Sequence, residues 1–254
     1  MTDKTLEPPV NLAPLKVEFG IPIIWGKRGA GKTLMSLNSP YQPVHIVDVE
    51  NSSADYETHM ARLIERGYFN NPFTRVFTPQ WSDYGTEMAR IMSLPNHTYG
   101  TIVIDTIGQV GEWFHTDQFA KDANIAGKMS QVVWGRVRDR LRNMLLGLSK
   151  KADMIILLAH EREYEHVVSP RCNPGILELT SVSIRLVRDP NQQIPDGLVT
   201  YARLPFWPPR IPQITLSKML TYIEKPANWS ELTEEQKAPP EPVYVPVVPI
   251  PEEG

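Results

Sequence analysis

The sequence lacks the features that would place it among secreted, membrane-spanning or strongly basic proteins. Its single cysteine, Cys172, excludes an internal disulfide and fits the reducing cytoplasm, where we expect the protein to reside. No apolar run approaches the roughly 18 residues that a membrane span needs, so we expect no membrane partner. With 26 basic and 29 acidic side chains, the net charge is −3, so any nucleic-acid site must be a local one.

Proline, in contrast, is abundant and is concentrated at the two ends of the chain. Residues 1–16 read as an extended N-terminal arm. Residues 226–254 combine proline with glutamate, a composition typical of a largely disordered or polyproline-like tail. We therefore expect one folded domain over residues 17–225. The tail is either simply solvated or an acidic segment that recruits a protein partner.

Between these ends, apolar runs alternate with amphipathic stretches. Buried strands are predicted at residues 44–49, 101–105 and 154–159. Predicted helices cover 56–68, 129–150 and a segment that Ser82 or Asp83 caps and that runs to Leu94. Further apolar segments that read as strands, without long helices between them, are 176–187, 198–204 and 213–224. This order predicts an α/β fold, a mostly parallel sheet flanked by helices with an antiparallel β extension.

The most informative motif is Gly-x4-Gly-Lys-Thr at residues 26–33. In such a P-loop, backbone N–H groups surround a phosphate, Lys32 contacts the β- and γ-phosphates, and Thr33 offers its hydroxyl to Mg²⁺. The motif follows the apolar run 21–25 and precedes an apolar helical pattern, which is the strand–loop–helix context that it requires. The predicted nucleotide-binding residues are Gly26, Lys27, Arg28, Gly29, Ala30, Gly31, Lys32, Thr33 and Leu34.

Two acidic residues at strand ends extend this predicted site. Asp105 ends the strand 101–105, where P-loop enzymes place a carboxylate that holds the Mg²⁺ shell; the alternative is a cap on the next turn. Glu50 follows the strand 44–49. If that strand neighbours the P-loop strand, Glu50 would reach the attacking water and deprotonate it. The residues alone leave open the alternative, an exposed acid at a loop entrance.

Taken in order, these motifs resemble the RecA/RadA recombinase superfamily over about residues 17–224. Family members carry a strand ending in Asp-x-Glu, here residues 48–50, whose glutamate activates water, and a hydrophobic-Asp-Ser/Thr strand, here residues 104–106. The resemblance makes His160 a catalytic-site sensor of the γ-phosphate, at a position where recombinases commonly carry glutamine. The small size and the residues 159–161 look most like the phage-encoded Sak-type ATPases linked to single-strand annealing.

The resemblance implies a RecA-like ATPase that binds ATP and Mg²⁺ and acts as an oligomer on single-stranded DNA in recombination or repair. In the family, two loops hold DNA, and they correspond here to residues 108–128 and 161–175. The candidate DNA-binding residues are Trp113, Phe114, Lys121, Lys128, Arg162 and Arg171. For the two aromatic rings the alternative is packing beneath the first loop, and the glutamates of the second loop weaken its case.

The resemblance also implies that a basic side chain from a neighbouring subunit completes the site. Arg203 and Arg210 are the candidates for this trans-acting role, because a positive charge there would stabilise the transition state of phosphoryl transfer.

Two other function classes remain open. Partitioning ATPases resembling ParA and MinD carry a signature lysine five residues before the P-loop lysine, and Lys27 stands five before Lys32. Against this, Arg28 replaces one of their glycines. A nucleotide-gated viral scaffold or packaging accessory protein would use the tail as its partner site. ATP-induced dimers without rings or filaments would indicate the first class, and tight ATP binding without hydrolysis the second.

Overall fold

The structure is a computed structural model that describes residues 21–223 except 70, 122–128, 165, 190 and 204–206. The predicted arm at residues 1–16 and the predicted tail at residues 226–254 lie outside the described residues. The domain limits therefore stay predictions.

Strands and helices alternate along the first half of the chain. Its elements are β1 (Pro22–Gly26), α1 (Lys32–Leu37), β2 (Val44–Asp48), α2 (Ala54–Thr58), α3 (Met60–Glu65), β3 (Phe73–Phe77), α4 (Trp81–Ser93), β4 (Tyr99–Asp105) and α5 (Ile107–Lys121). The second half has shorter strands and two short helices after one long helix. Its elements are α6 (Met129–Leu148), β5 (Ala152–Tyr164), β6 (Val167–Pro170), α7 (Pro174–Leu177), β7 (Val182–Val187), β8 (Asp196–Ala202), β9 (Arg210–Ile211) and α8 (Leu216–Ile223).

Within the described residues the strands form one mixed sheet in the order β3-β2-β4-β5-β1-β7-β8-β9, with β6 paired to β5. The six strands from β3 to β7 in this order are parallel, whereas β8, β9 and β6 pair antiparallel. This confirms the predicted α/β class with an antiparallel extension.

One expectation about the sheet is wrong. The P-loop strand β1 pairs with β5 and β7, so β4 and β5 separate it from β2. The carboxyl ends of parallel strands nevertheless meet at one edge of a sheet, where ligands of open α/β folds bind. Glu50 therefore reaches the edge of the sheet at which the P-loop lies, although two strands separate β2 from β1.

The central strands are buried on both faces, which explains their continuous apolar runs. Ile23 and Trp25 of β1 pack on one face under α4, α5 and α6. Ile24 packs on the opposite face with residues of α1 and α8. Among the helices in the described part of the chain, none combines the length and the apolar character that crossing a bilayer would require.

Four predicted elements need correction. Residues 213–224 form mainly the helix α8, in which Leu216, Met219 and Leu220 are buried at helical spacing. The predicted strand 176–187 starts later, at Val182, because α7 and a turn occupy its first residues.

Helix α4 begins at Trp81 with Gln80 at its N-cap and ends before Pro95. The predicted stop is therefore confirmed, whereas Ser82 and Asp83 lie inside the first turn instead of capping it. Finally, the predicted helix over residues 56–68 is divided into α2 and α3.

Candidate active site

The P-loop motif connects β1 to α1 as predicted. Gly26 comes so close to β7 that a Cβ on it would lie 2.6 Å from the Leu186 carbonyl oxygen, and Gly31 has a φ of 93°, so both positions favour glycine. Lys32 is buried, and its Nζ donates hydrogen bonds to the carbonyl oxygens of Gly26 (3.1 Å) and Lys27 (3.0 Å). Burial lowers the pKa of Lys32, while the nearby Asp105 and Glu50 oppose this shift. An arriving phosphate would offer the ammonium group a better partner than the two carbonyls.

The two predicted metal-binding residues are in direct contact. Thr33, in the first turn of α1, donates its hydroxyl to Oδ2 of Asp105 at the end of β4, at 2.9 Å. Asp105 is buried, with 2% of its surface exposed. Burial raises the pKa of Asp105, and hydrogen bonds from Ser52 and Thr33 oppose that shift. A hydroxyl beside a buried carboxylate is an oxygen-only donor set that fits Mg²⁺, which keeps several waters and takes the remaining ligands from phosphates.

Glu50 has hydrogen-bond partners on both carboxylate oxygens. Nε2 of His160 donates to Oε2 at 2.6 Å, and the Thr106 hydroxyl donates to Oε1 at 3.0 Å. The hydrogen bond from His160 holds the pKa of Glu50 below its usual value, against the opposing effect of burial. Glu50 is therefore an ionised carboxylate at neutral pH, the form in which it can accept a proton from water.

A small cavity of about 20 Å³ adjoins this carboxylate. Its volume suits about one water molecule. The residues that line the cavity are Glu50, Thr106, Gly108, Gln109, His160 and Arg171. The structure thus brings Glu50 and His160 together beside a water-sized space.

Asp48 holds the backbone that carries Glu50 in place. Asp48 is fully buried and accepts hydrogen bonds from the N–H groups of Glu50 (3.2 Å), Ser52 (3.1 Å) and Ser53 (2.9 Å). Arg75, from the neighbouring strand β3, donates Nε to the same carboxylate at 3.1 Å. The acid two residues before Glu50 is thus a structural anchor for the loop.

Ser52 is the site residue that the sequence interpretation missed. Its hydroxyl donates to Oδ2 of Asp105 at 2.5 Å. A serine in a polar loop carries no pattern of its own, and its contact depends on the pairing of Asp48 with Asp105 across β2 and β4. The only available signal was that it follows the Asp-x-Glu sequence by two residues.

The segment predicted as the first DNA-binding loop, residues 108–128, is mostly the helix α5. Phe114 lies in the core with 7% of its surface exposed, so the expectation that it stacks on bases is wrong. Trp113 is half-buried, with ring centroids 6.4 Å from Trp81 and 6.0 Å from Tyr84. The packing alternative therefore describes both rings.

The basic candidates of that segment are placed differently. Lys121 lies at the end of α5 and forms an ion pair with Asp117 at 2.8 Å. Lys128 lies outside the described residues.

The segment predicted as the second loop, residues 161–175, is mainly the β5–β6 hairpin followed by the start of α7. Arg162 is exposed on this hairpin. Arg171 forms an ion pair with Glu112 at 2.9 Å and also lines the cavity beside Glu50. The strand β5, which carries His160, continues into this hairpin.

The two candidate trans-acting arginines have partners within their own chain. Arg203 donates to the carbonyl oxygen of Glu178. Arg210 pairs with Asp196, and Nε of Arg210 lies 2.9 Å from Oδ2 of Asp196. A role across a subunit interface stays a prediction for both.

This fold and this arrangement of Lys32, Thr33, Asp105 and Glu50 define a P-loop ATPase. A model of the AAA domain family matches residues 22–169, more than half of the chain. The chain therefore belongs to the AAA domain family.

Two solved structures have similar folds at low sequence identity. The crystal structure of the RadB recombinase is 14% identical, with 75% of this chain and 83% of that chain covered and a TM-score of 0.49. The KaiC-like protein PH0186 from the hyperthermophilic archaeon Pyrococcus horikoshii OT3 is 15% identical, with 72% and 79% covered and a TM-score of 0.42. No curated protein sequence matches the chain.

Proposed function

We propose that this protein is a Mg²⁺-dependent ATPase of DNA recombination or repair that acts on single-stranded DNA as an oligomer. The observation that carries the ATPase mechanism is the placement of Glu50 between His160 and Thr106, at the same sheet edge as the Thr33–Asp105 contact. The recombination assignment is supported by the ordered resemblance to RecA/RadA proteins, with the Sak-type annealing ATPases as the specific subgroup proposed.

Hydrolysis follows from the roles of these side chains. Lys32 leaves its backbone carbonyls and binds the terminal phosphates, and Thr33 and Asp105 would hold Mg²⁺. Mg²⁺ held there would supply positive charge that offsets the negative charge of the phosphate oxygens. Glu50 orients a water and accepts its proton. His160 keeps the carboxylate oriented and responds when Glu50 turns toward that water.

The β5–β6 hairpin offers a route from hydrolysis to DNA. His160 lies in β5, whose last residues form the hairpin with β6, and its carbonyl oxygen accepts the N–H of Arg171 at 2.7 Å. We expect a change at His160 to move β5 directly and, through this bond, Arg171, the residue that follows β6. Arg162 and Arg171 are the proposed DNA contacts there, with Lys121 and Lys128 as further candidates.

The decisive experiment measures ATP turnover with and without single-stranded DNA on the wild type, Lys32→Ala and Glu50→Gln. Lys32→Ala should lose nucleotide affinity, whereas Glu50→Gln should bind ATP normally and lose about 10²–10⁴-fold in turnover. Single-stranded DNA should stimulate the wild type. Turnover that no length of single-stranded DNA changes would contradict the proposed DNA substrate while leaving the ATPase assignment intact.

Lys27 supports a second candidate, a partitioning ATPase resembling ParA and MinD. Lys27 is exposed in the P-loop, where it could reach the nucleotide of a second copy. ATP-induced dimers that form neither rings nor filaments, and that lose turnover in Lys27→Ala, would favour this candidate. The third class, a nucleotide-gated scaffold, would bind ATP tightly without hydrolysing it.

A further inference from the structure

Asp105 accepts hydrogen bonds from two hydroxyl groups, and the P-loop motif explains only one of them. Oδ2 of Asp105 accepts the hydroxyl of Thr33 at 2.9 Å and that of Ser52 at 2.5 Å. The two hydroxyls come from different elements, the first turn of α1 and the loop after β2. Because Asp105 is only 2% exposed, few groups besides these two hydroxyls can reach its Oδ2.

The position of Ser52 is fixed by its backbone. Its N–H donates to Oδ1 of Asp48 at 3.1 Å, and the next residue, Ser53, donates both its N–H and its hydroxyl to Oδ2 of Asp48. The Oγ of Ser52 lies 3.5 Å from Oδ1 of Asp48 but 2.5 Å from Oδ2 of Asp105. The loop therefore directs Ser53 toward Asp48 and directs the Ser52 hydroxyl toward Asp105.

The chemistry of a hydroxyl makes this placement informative. A serine that donates its one proton keeps two lone pairs that can accept a hydrogen bond or bind a cation. Thr33 is in that state beside Asp105, and the hydroxyl at its motif position is the one that P-loop proteins offer to Mg²⁺. Ser52 is in the same state at the same carboxylate oxygen. A hydroxyl oxygen is also the kind of hard ligand that Mg²⁺ accepts, directly or through a bound water.

We infer that Ser52 belongs to the metal shell of this site and holds Mg²⁺, directly or through one water, together with Thr33 and Asp105. The inference rests on the proposed ATPase function and adds a metal-shell residue that the P-loop motif does not contain. Ser52 holds the ion and donates a hydrogen bond to the Asp105 carboxylate, whereas Glu50, two residues earlier, orients the attacking water.

The test is Mn²⁺ binding to the full chain, measured by electron paramagnetic resonance in the presence of a non-hydrolysable ATP analogue. Ser52→Ala should weaken Mn²⁺ binding by about 10-fold, the lower end of losses seen when groups supporting a metal are removed. Ser52→Thr keeps the hydroxyl and should restore most of the affinity. Affinity for the same analogue in EDTA should not change. Thr58→Ala is the matched control, because it removes a hydroxyl that donates to the carbonyl oxygen of Ala54, inside its own helix.

Ser52→Cys keeps the inference testable if Ser52→Ala does not fold. A thiol has nearly the same size but is a weak donor and a soft ligand that suits Mg²⁺ and Mn²⁺ poorly. It should therefore fold and still lose Mn²⁺ affinity. Equal Mn²⁺ affinity in the wild type and in the folded Ala or Cys variant would overturn the inference, as would an equal loss in Ser52→Thr. Failure of the wild type itself to bind Mn²⁺ with the analogue would instead overturn the proposed ATPase function.

Discussion

Asp48 and Glu50 are two residues apart, yet their environments give them different roles. Asp48 is fully buried and accepts backbone N–H groups of its own loop. The side chain of Glu50 is 33% exposed and meets other side chains at the open edge of the sheet. A buried carboxylate with several donors fixes a backbone, whereas a partly exposed carboxylate with a water-sized space beside it can exchange a proton.

The hydrogen bond between His160 and Glu50 should be visible in the pH dependence of turnover. The folded-state pKa of Glu50 is lowered chiefly by this bond, so the carboxylate keeps its charge at pH values where an ordinary glutamate, with a pKa near 4.3, begins to lose it. His160→Ala should move the acid limb of kcat/KM to higher pH. His160→Gln, whose amide can still donate, should largely restore the wild-type limb.

His97 provides the control for this prediction. It also pairs with a carboxylate, Asp153, at 2.7 Å, but it lies in the loop before β4, at the opposite end of that strand from Asp105. His97→Ala should leave the acid limb in place. An acid limb that does not move in His160→Ala would show that His160 does not set the protonation of Glu50.

Arg75 should make a large contribution to stability, because Asp48 has no access to water. Its Nε donates to Asp48 at 3.1 Å, with 10% of the Arg75 side chain and none of the Asp48 side chain exposed. Arg75→Met leaves that carboxylate buried without its cation. We expect a loss of about 3–5 kcal/mol in the free energy of unfolding, the usual cost of removing one partner of a buried pair. Urea denaturation measures it.

Arg62→Met, on the exposed surface of α3, is the reference substitution and should change stability by less than about 0.5 kcal/mol. If Arg75→Met costs no more than this reference, the loop after β2 does not depend on the Arg75–Asp48 pair.

At the scale of secondary-structure elements, the accuracy of the sequence interpretation depended on burial. The strands β1, β2, β4 and the first half of β5 were predicted well, because strands buried on both faces are continuous apolar runs. The helix α8 was predicted as a strand, since a short apolar segment does not distinguish the two periods.

The helix α5 was assigned as a loop by family correspondence, although Ile107, Val110 and Phe114 follow helical spacing.

The residues of the candidate site divide into those that a local sequence pattern identifies and those that it does not. The P-loop residues and Asp105 could be predicted from local patterns. Ser52 and Arg75 could not, because their contacts join segments that only the sheet order brings together.

The β5–β6 hairpin is the element on which the DNA proposal can be tested. Its tip exposes Tyr164 (67%) and Val167 (64%), and Arg162 lies beside them on β5. For single strands, log K falls with log salt by about 0.7 per phosphate contact. Arg162→Ala should therefore weaken binding to single-stranded DNA and reduce the salt slope by about that amount, as measured by fluorescence anisotropy over a salt series.

Arg66→Ala is the comparison for this measurement, because Arg66 follows α3 and is remote from the hairpin in the sheet order. It should leave both the affinity and the slope unchanged. An unchanged slope in Arg162→Ala would remove Arg162 from the DNA-binding surface, whatever happens to the affinity.

At the scale of the whole molecule, the outstanding question is whether two chains share one active site. One chain supplies Lys32, Thr33, Asp105, Glu50 and His160, but among these Lys32 is the only cation. Arg203 and Arg210, the proposed trans-acting residues, are bound to Glu178 and to Asp196 of their own chain. A shared site therefore requires one of them to exchange its partner for the nucleotide of a neighbour when the oligomer forms.

Mixing two inactive variants tests this directly. Lys32→Ala cannot bind nucleotide, and Arg203→Ala or Arg210→Ala would lack the trans-acting charge, so each should be inactive alone if the assignment is right. In a head-to-tail oligomer of randomly mixed subunits, roughly a quarter of the interfaces join an intact Lys32 to an intact arginine. ATP turnover at equal mixing should therefore recover to about that fraction of the wild type. A turnover that stays at the level of the separate variants at every mixing ratio would contradict a site that two subunits share.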